Sequence, residues 1–180
     1  MTRHFHPLFS GLVLAALAGT AQAHQVWIEA SGTHEQLHFG EYADNLRETS
    51  PGSLDKFEGV PVLAQQSAGQ TQQVSGQRTA NAFVYQLPAG AGAGDTLFAE
   101  APYPLIDRSK GGKPALLWRP AASWVAGLGK PVAATAPLDV VPTGRAGELR
   151  VVFNGQPLPK TQVTLVAPSG WAREAQTGAD

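Results

Sequence analysis

The sequence predicts an all-β protein built as a sandwich of antiparallel sheets. Glycine (20) and proline (14) are abundant among the 180 residues and only 15% of residues are charged, a composition that suits short strands and many turns better than packed helices. Short apolar or alternating runs also recur along the chain, separated by turn-forming residues. We therefore expect short strands in two packed layers and no long helix.

These runs give the predicted strands in chain order. In the first part of the chain they are residues 25–30, 35–41, 61–65, 82–87, 96–99, 115–118, 131–134 and 138–141. The polar stretch 42–57 is predicted to be a loop that crosses one end of the sandwich and holds a short helix. A linker rich in Pro, Gly and Thr follows the last of these strands, and strands resume at 149–153 and 162–167.

The first two strands have the composition of a β-hairpin, but the sequence leaves the register open. A three-residue loop, 30–32, sets His24 directly opposite His38, where cross-strand Cβ atoms are about 4.5–5.5 Å apart. A two-residue loop, 31–32, moves His38 to a diagonal position instead. The second register buries one apolar face: Val26, Ile28, Leu37 and Phe39. Both registers predict that His38 lies near the start of the first strand.

Residues 1–23 have the features of a cleaved secretory signal. Arg3 precedes an apolar run over 8–18, and Ala-Gln-Ala at 21–23 forms a small-residue cleavage site. The apolar run is shorter than the ~20 residues that span a bilayer. We therefore expect a periplasmic protein that starts at His24 and has no membrane span. Because the chain contains no cysteine, it has no disulfide and no lipid attachment site.

Three segments are predicted: the signal at 1–23, a β-sandwich at 24–141, and the start of a second sandwich at 145–180. The last segment has about 36 residues, fewer than the ~40 that an unaided core needs. We therefore expect the natural chain to continue beyond Asp180.

The charge balance argues against nucleic acid as a partner. Removal of residues 1–23 takes away Arg3 and leaves 12 basic and 14 acidic residues, whereas binding to a phosphate backbone needs a clustered basic surface. Lys110 and Lys113 flank two glycines and are predicted to be solubilising turn residues. The sequence also has no nucleophile elbow, no phosphate loop and no helical zinc-protease motif, so no enzyme is predicted.

His24 is the leading candidate metal ligand, because cleavage of the signal would give it a free α-amino group. An α-amine has a pKa of about 7.7–8.0, so it is partly deprotonated at neutral pH and can chelate a metal together with the ring of the same residue. His38 is predicted to complete a three-nitrogen brace, with Glu41 and Asp44 as second-rank carboxylate ligands. Imidazole nitrogen suits nickel, cobalt, copper or zinc. The alternative is that the histidines are surface residues with no metal.

Two parts of the sequence resemble known families. The motif A-H-Q-V-W-I-E at 23–29, followed by F-G-E-Y-A-D-N-L-R-E-T-S-P-G-S-L-D-K-F at 39–57, resembles the periplasmic nickel or cobalt uptake component family. That resemblance implies one or two immunoglobulin-like domains, nickel or cobalt as the bound ion and a membrane transporter as partner; of its pattern, His24 carries over. The segment 154–180 resembles a transthyretin-like or carboxypeptidase-regulatory-like β-sandwich repeat, and the match stops at T-G-A-D, before the closing strands.

Three classes of function follow. The first is a periplasmic metal-binding protein that is an accessory to nickel or cobalt uptake, with His24 as primary ligand. The second is a non-catalytic cell-envelope module that contacts protein or glycan through exposed aromatic side chains, for which Tyr103 and Trp124 are the candidates. The third is a copper-dependent oxidative enzyme that uses the same N-terminal brace.

Overall fold

The structure is a computed structural model that describes residues 24–31, 34–67, 69–88 and 96–179. It is 48% strand and 5% helical, and its sheets are antiparallel, so the predicted all-β sandwich class is confirmed. The predicted signal at 1–23 lies outside the described residues. Two 3₁₀ helices, Ser53–Lys56 and Ser109–Gly111, make up the helical part of the described residues.

The described residues form the strands β1 (Gln25–Ser31), β2 (His34–Glu41), β3 (Leu46–Arg47), β4 (Leu63–Ser67), β5 (Gln70–Val74), β6 (Gly76–Arg78), β7 (Phe83–Gln86), β8 (Thr96–Glu100), β9 (Ala121–Val125), β10 (Leu138–Pro142), β11 (Leu149–Phe153), β12 (Gln156–Pro157), β13 (Gln162–Val166) and β14 (Ala172–Gln176). Two sheets form the first sandwich. One runs β1-β2-β7-β6, with β3 paired to the end of β2, and the other runs β5-β4-β8-β9.

The core lies between these two sheets. Its buried apolar side chains are Val26, Ile28, Leu37, Phe39, Leu54, Phe57, Leu63, Val74, Phe83, Tyr85, Leu97, Ala99, Ala101 and Ala122. Leu54 and Phe57 come from the 3₁₀ helix and its end, so the polar stretch after β2 contributes to the core. Glu35 is also buried, and its Oε2 has no hydrogen-bond partner among the described residues. Burial raises the pKa of this carboxyl.

The register of the β1–β2 hairpin differs from both predictions. Ser31 pairs with His34, and the same register pairs Trp27 with His38. His38 therefore lies neither opposite nor diagonal to His24. The predicted apolar face is confirmed, because a period of two keeps its members together. Val26 pairs with Phe39, and Ile28 with Leu37.

Other strand predictions have mixed outcomes. The predicted strands at 115–118 and 131–134 are wrong, because each contributes only an isolated bridge, Ile106 to Leu116 and Pro131 to Thr143. Six of the described strands were not predicted: β3, β5, β6, β9, β12 and β14. β5 and β14 are edge strands with mostly exposed polar side chains, so they show no apolar alternation. The short helix predicted within 42–57 is the 3₁₀ helix Ser53–Lys56.

The C-terminal part forms two small sheets, β10-β11-β12 and β13-β14. β10, the strand predicted to end the first sandwich, pairs with β11, the first strand of the predicted second segment. The buried Asp139 links β10 back to the first sandwich, because its Oδ1 accepts a 3.0 Å hydrogen bond from Ser123 of β9. Within the part of the chain that the structure describes, no helix has the length and apolar character needed to cross a membrane.

Candidate metal centre

Three polar side chains meet where β1 begins: His24, Glu41 and Glu48. Gln25 pairs with Gly40, so His24, one residue earlier, lies level with Glu41 at the end of β2. The chain then turns and returns as β3, and the backbone N–H of Glu48 donates to the carbonyl of Phe39 at 2.8 Å. Level positions on neighbouring strands share a face of the sheet, so all three side chains lie on the side of Phe39.

The return of β3 depends on a close backbone approach at Gly40. This glycine has φ 147°, and a Cβ placed on it would lie 2.1 Å from the carbonyl oxygen of Leu46. Any side chain would therefore force β3 away from β2. Glycine at this position is what allows Glu48 to reach His24.

The ring of His24 is oriented by Glu48. Its Nε2 lies 2.6 Å from Glu48 Oε1. Because an ionised carboxylate only accepts hydrogen bonds, Nε2 carries the proton and donates it. The hydrogen bonds from His24 and Ser53 hold the pKa of Glu48 below its ordinary value, so Glu48 is ionised at neutral pH. In the neutral ring, Nδ1 is then the nitrogen with a free lone pair.

Nδ1 of His24 faces Glu41, with 3.8 Å between Nδ1 and Glu41 Oε1. Two metal–ligand bonds of about 2.0–2.2 Å each can span that separation. Nδ1 is also the ring nitrogen nearer to the main-chain nitrogen of His24. That nitrogen is an amide in the 180-residue chain and becomes an amine only if the bond between Ala23 and His24 is cut.

The residues present fit a divalent transition-metal ion only when that amine is included. Among the described side chains, no group of three or more His, Cys, Asp or Glu residues could hold a metal ion. Glu48 contacts the opposite edge of the His24 ring from Glu41, so it cannot share an ion with Nδ1. With a free amine the donor set becomes two nitrogens and one carboxylate, without sulfur, which suits nickel, cobalt, copper(II) or zinc.

An aromatic cluster supports the site from the core side. The ring of His24 lies 5.0 Å from that of Phe39, and Phe39 contacts Trp118 at 5.9 Å. Trp118 in turn lies edge-on to Tyr103 at 5.0 Å. Tyr103 and Trp124 are partly buried and pack against the core. The expectation that these two side chains are the exposed aromatic residues is therefore wrong, and Trp171, 61% exposed, is the exposed tryptophan.

His38 lies on the opposite face of the β1–β2 pair from His24. It is 2% exposed, and its ring stacks on Trp27 at 5.4 Å. Its Nδ1 lies 3.1 Å from the carbonyl oxygen of Asn81, so Nδ1 carries a proton and donates it. Its Nε2 lies 3.4 Å from Glu29 Oε2. The predicted approach of His38 to His24 is therefore wrong, and a brace between them does not form.

The carboxylate of Glu29, which faces His38, also contacts Trp27 and Arg47. Glu29 Oε1 accepts hydrogen bonds from Trp27 Nε1 at 2.8 Å and from Arg47 at 2.7 Å. Burial acts to raise the pKa of Glu29, but the hydrogen bond from Trp27 and the charges of His38 and Arg47 outweigh it, so the pKa is lowered. Burial lowers the pKa of His38 in spite of its contacts with Asn81 and Glu29. Because its pKa lies below 6.5, the ring of His38 is neutral at neutral pH and carries a charge beside Glu29 only at lower pH.

Of the two predicted carboxylate ligands, Glu41 is the one that pairs with His24 among the described residues. Asp44 is exposed in the turn between β2 and β3, whereas the ion pairs of His24 are with Glu41 and Glu48. Sequence reasoning missed Glu48, because its contact with His24 depends on a short strand, β3, that the polar sequence did not indicate. Comparison with family models, characterised proteins and solved structures found no match.

Proposed function

We propose that this chain is an exported, periplasmic metal-binding protein. It holds a divalent transition-metal ion through the α-amine and Nδ1 of a mature N-terminal His24, with the Glu41 carboxylate as the third ligand. Nickel or cobalt is the favoured ion and uptake of that ion the favoured role, with a membrane transporter as recipient; both rest on the family resemblance. The chain itself carries no catalytic step in this proposal.

One observation carries the proposal: the 2.6 Å hydrogen bond between His24 Nε2 and Glu48. A histidine that binds a metal usually donates its other ring N–H to a carboxylate or carbonyl, which fixes both the tautomer and the ring orientation. Glu48 does this for His24, so in the neutral ring Nδ1 is the nitrogen that can bind a metal. Nδ1 is the nitrogen that forms a chelate with the α-amine of the same residue, and it is the nitrogen that faces Glu41.

The test compares two chains that differ only ahead of His24. One starts at His24, with its N-terminus verified by mass spectrometry, and the other carries one extra glycine. The glycine leaves the ring, Glu41 and Glu48 unchanged and moves the amine away. Titration calorimetry with nickel, cobalt and copper(II) should show at least tenfold weaker binding to the extended chain, which is about 1.4 kcal/mol. As a control, a chain that starts at His24 and carries His34→Ala changes an exposed histidine of β2. It should bind the metal ion like the parent.

Equal affinity of the two chains would show that the amine is not a ligand and would contradict the proposal. If neither chain binds, the alternative of a non-catalytic envelope module takes its place. If copper(II) binds and the loaded protein consumes oxygen in the presence of a reductant, the protein is an oxidative enzyme instead of an ion carrier.

A further inference from the structure

A second surface feature lies away from the His24 site, in the hairpin between β8 and β9 that we call the 105–117 hairpin. Its two arms are joined by a bridge in which Ile106 and Leu116 exchange both backbone hydrogen bonds at 2.9 Å. At its tip the 3₁₀ helix Ser109–Gly111 is closed by hydrogen bonds from Gly111 and Lys113 to the carbonyl of Arg108. The hairpin therefore has a defined backbone conformation.

This hairpin exposes large apolar side chains. Leu105 is 63% exposed, Leu117 is 57% exposed and Leu116 is 41% exposed. Leu105 and Leu117 flank the bridge on opposite arms, so they are level with each other and share one face. Removal of each of these leucines from water would be favourable. An ordered element that leaves three leucines in water within thirteen residues points to a surface that binds something.

The same hairpin is basic. It carries Arg108, Lys110 and Lys113 against one acid, Asp107, whereas the whole chain has a net charge of −1. Both lysines are exposed, and neither forms an ion pair with a carboxylate of the described residues. Asp107 accepts a hydrogen bond from the backbone N–H of Ser109 at 2.8 Å and so stabilises the tip. Positive charge and exposed leucine are thus concentrated on one surface hairpin.

We propose that the 105–117 hairpin docks on an anionic phospholipid bilayer surface. The leucines would insert at the boundary between headgroups and acyl chains, and the basic side chains would contact lipid phosphates, the combination by which interfacial segments bind membranes. A protein partner fits less well, because lysine is depleted at protein interfaces and leucine is under-represented among their hot spots. This inference does not depend on metal binding at His24.

The test measures sedimentation of the chain from His24 to Asp180 with two kinds of vesicle. One contains equal parts of phosphatidylglycerol and phosphatidylcholine, and the other is pure phosphatidylcholine. The chain should sediment with the anionic vesicles, and binding should weaken as salt rises from 0.05 to 0.5 M. Two double variants separate the contributions: Leu105→Ser with Leu117→Ser, and Lys110→Glu with Lys113→Glu. Each should weaken the partition by about tenfold or more.

A matched control carries Leu128→Ser with Lys130→Glu, which changes an exposed leucine and an exposed lysine in a different loop. It should bind like the parent. Because the two hairpin variants are tested separately and their thermal unfolding is recorded, loss of folding in one leaves the other informative. Absence of binding, equal binding to both vesicles, or equal weakening by the control would overturn the proposal. So would hairpin-dependent binding to polyglutamate without binding to vesicles, which would indicate an acidic protein partner.

Discussion

Trp27 and His38 are cross-strand partners of β1 and β2, and their rings stack with centroids 5.4 Å apart and planes inclined by 29°. The stack covers an imidazole that is 2% exposed and that also lies beside Glu29. His24 contacts Phe39 on the other face of the same two strands. One pair of strands therefore separates a buried histidine from a partly exposed one, although the two are only fourteen positions apart.

The first prediction concerns the pH dependence of stability. Burial lowers the pKa of His38 in the folded protein below the 6.5 of an unperturbed histidine. Between these two values the unfolded chain binds more protons than the folded one, so the free energy of unfolding should fall as the pH drops below about 6.5. The loss should level off below the lowered pKa. Urea unfolding between pH 7.5 and pH 5 measures the slope.

In His38→Gln this slope should become flatter, because the titrating ring is gone. The matched control is Gln36→Ala, which changes a residue that does not titrate on the same face of β2 and should keep the parent slope. A parent-like slope in His38→Gln would show that other groups cause the acid sensitivity.

The second prediction concerns the orienting role of Glu48. Replacement by Ala removes the acceptor for His24 Nε2, so the ring can rotate and change tautomer. Loss of such a partner typically weakens metal binding by about 10- to 100-fold, and calorimetry with nickel or copper(II) should show this in the chain that starts at His24. Glu48→Gln retains an accepting oxygen and should fall between parent and Ala. The exposed Glu58→Ala serves as the control. An unchanged Kd in Glu48→Ala would exclude an orienting role.

The third prediction concerns Glu35, whose carboxyl is buried among apolar core residues. Burial raises its pKa, so the folded protein holds this proton more tightly than the unfolded chain does. Its contribution to stability is therefore fully present below about pH 4.5 and is lost as the pH rises through the raised pKa. Glu35→Leu should increase the free energy of unfolding at pH 7 by about 1 kcal/mol, with a smaller gain at pH 4.5.

Urea titrations at the two pH values test this, with Glu58→Leu as the exposed control that should bring no such gain. A loss of stability in Glu35→Leu at both pH values would mean that Glu35 has a hydrogen-bonding role in the folded protein.

The fourth prediction concerns Gly40. Gly40→Ala should lower the free energy of unfolding by about 3 kcal/mol, because the new Cβ meets the backbone of Leu46 and β3 must shift. Gly59→Ala is the matched control: its φ of 92° is also positive, but nothing lies within 4 Å of the added Cβ. It should cost only about 1 kcal/mol. Thermal unfolding of both variants gives the comparison, and equal losses would contradict the role of close backbone approach at Gly40.

The sequence predicted those parts of the fold in which alternation is strong. β1 and β2 were placed nearly to the residue because one apolar face must be buried, and that face is the same whichever loop joins the strands. Cross-strand partners were not predictable in this way. A shift of the loop by one residue changes every pair, so the brace between His24 and His38 depended on a feature that local sequence does not determine.

Two errors in the strand predictions also arise because local sequence does not determine backbone pairing. The run Leu116-Leu117-Trp118 is apolar and was predicted to be a strand, yet its two leucines are exposed and only one bridge forms. β5 is polar and was not predicted, yet it forms five pairs with β4 as an edge strand. Apolar content indicates burial and alternation indicates a face, but backbone pairing at an edge needs neither.

The stacking of aromatic rings around the two histidines gives the protein a pair of built-in optical reporters. Phe39 lies between His24 and Trp118, whereas Trp27 covers His38 on the far side of the strands. A paramagnetic ion at His24 should quench the emission of Trp118, which is linked to His24 through Phe39. Protonation of His38 would act on Trp27 first. Single-tryptophan variants could therefore follow ion capture and acidification as two separate fluorescence signals, with no dye attached near the N-terminus.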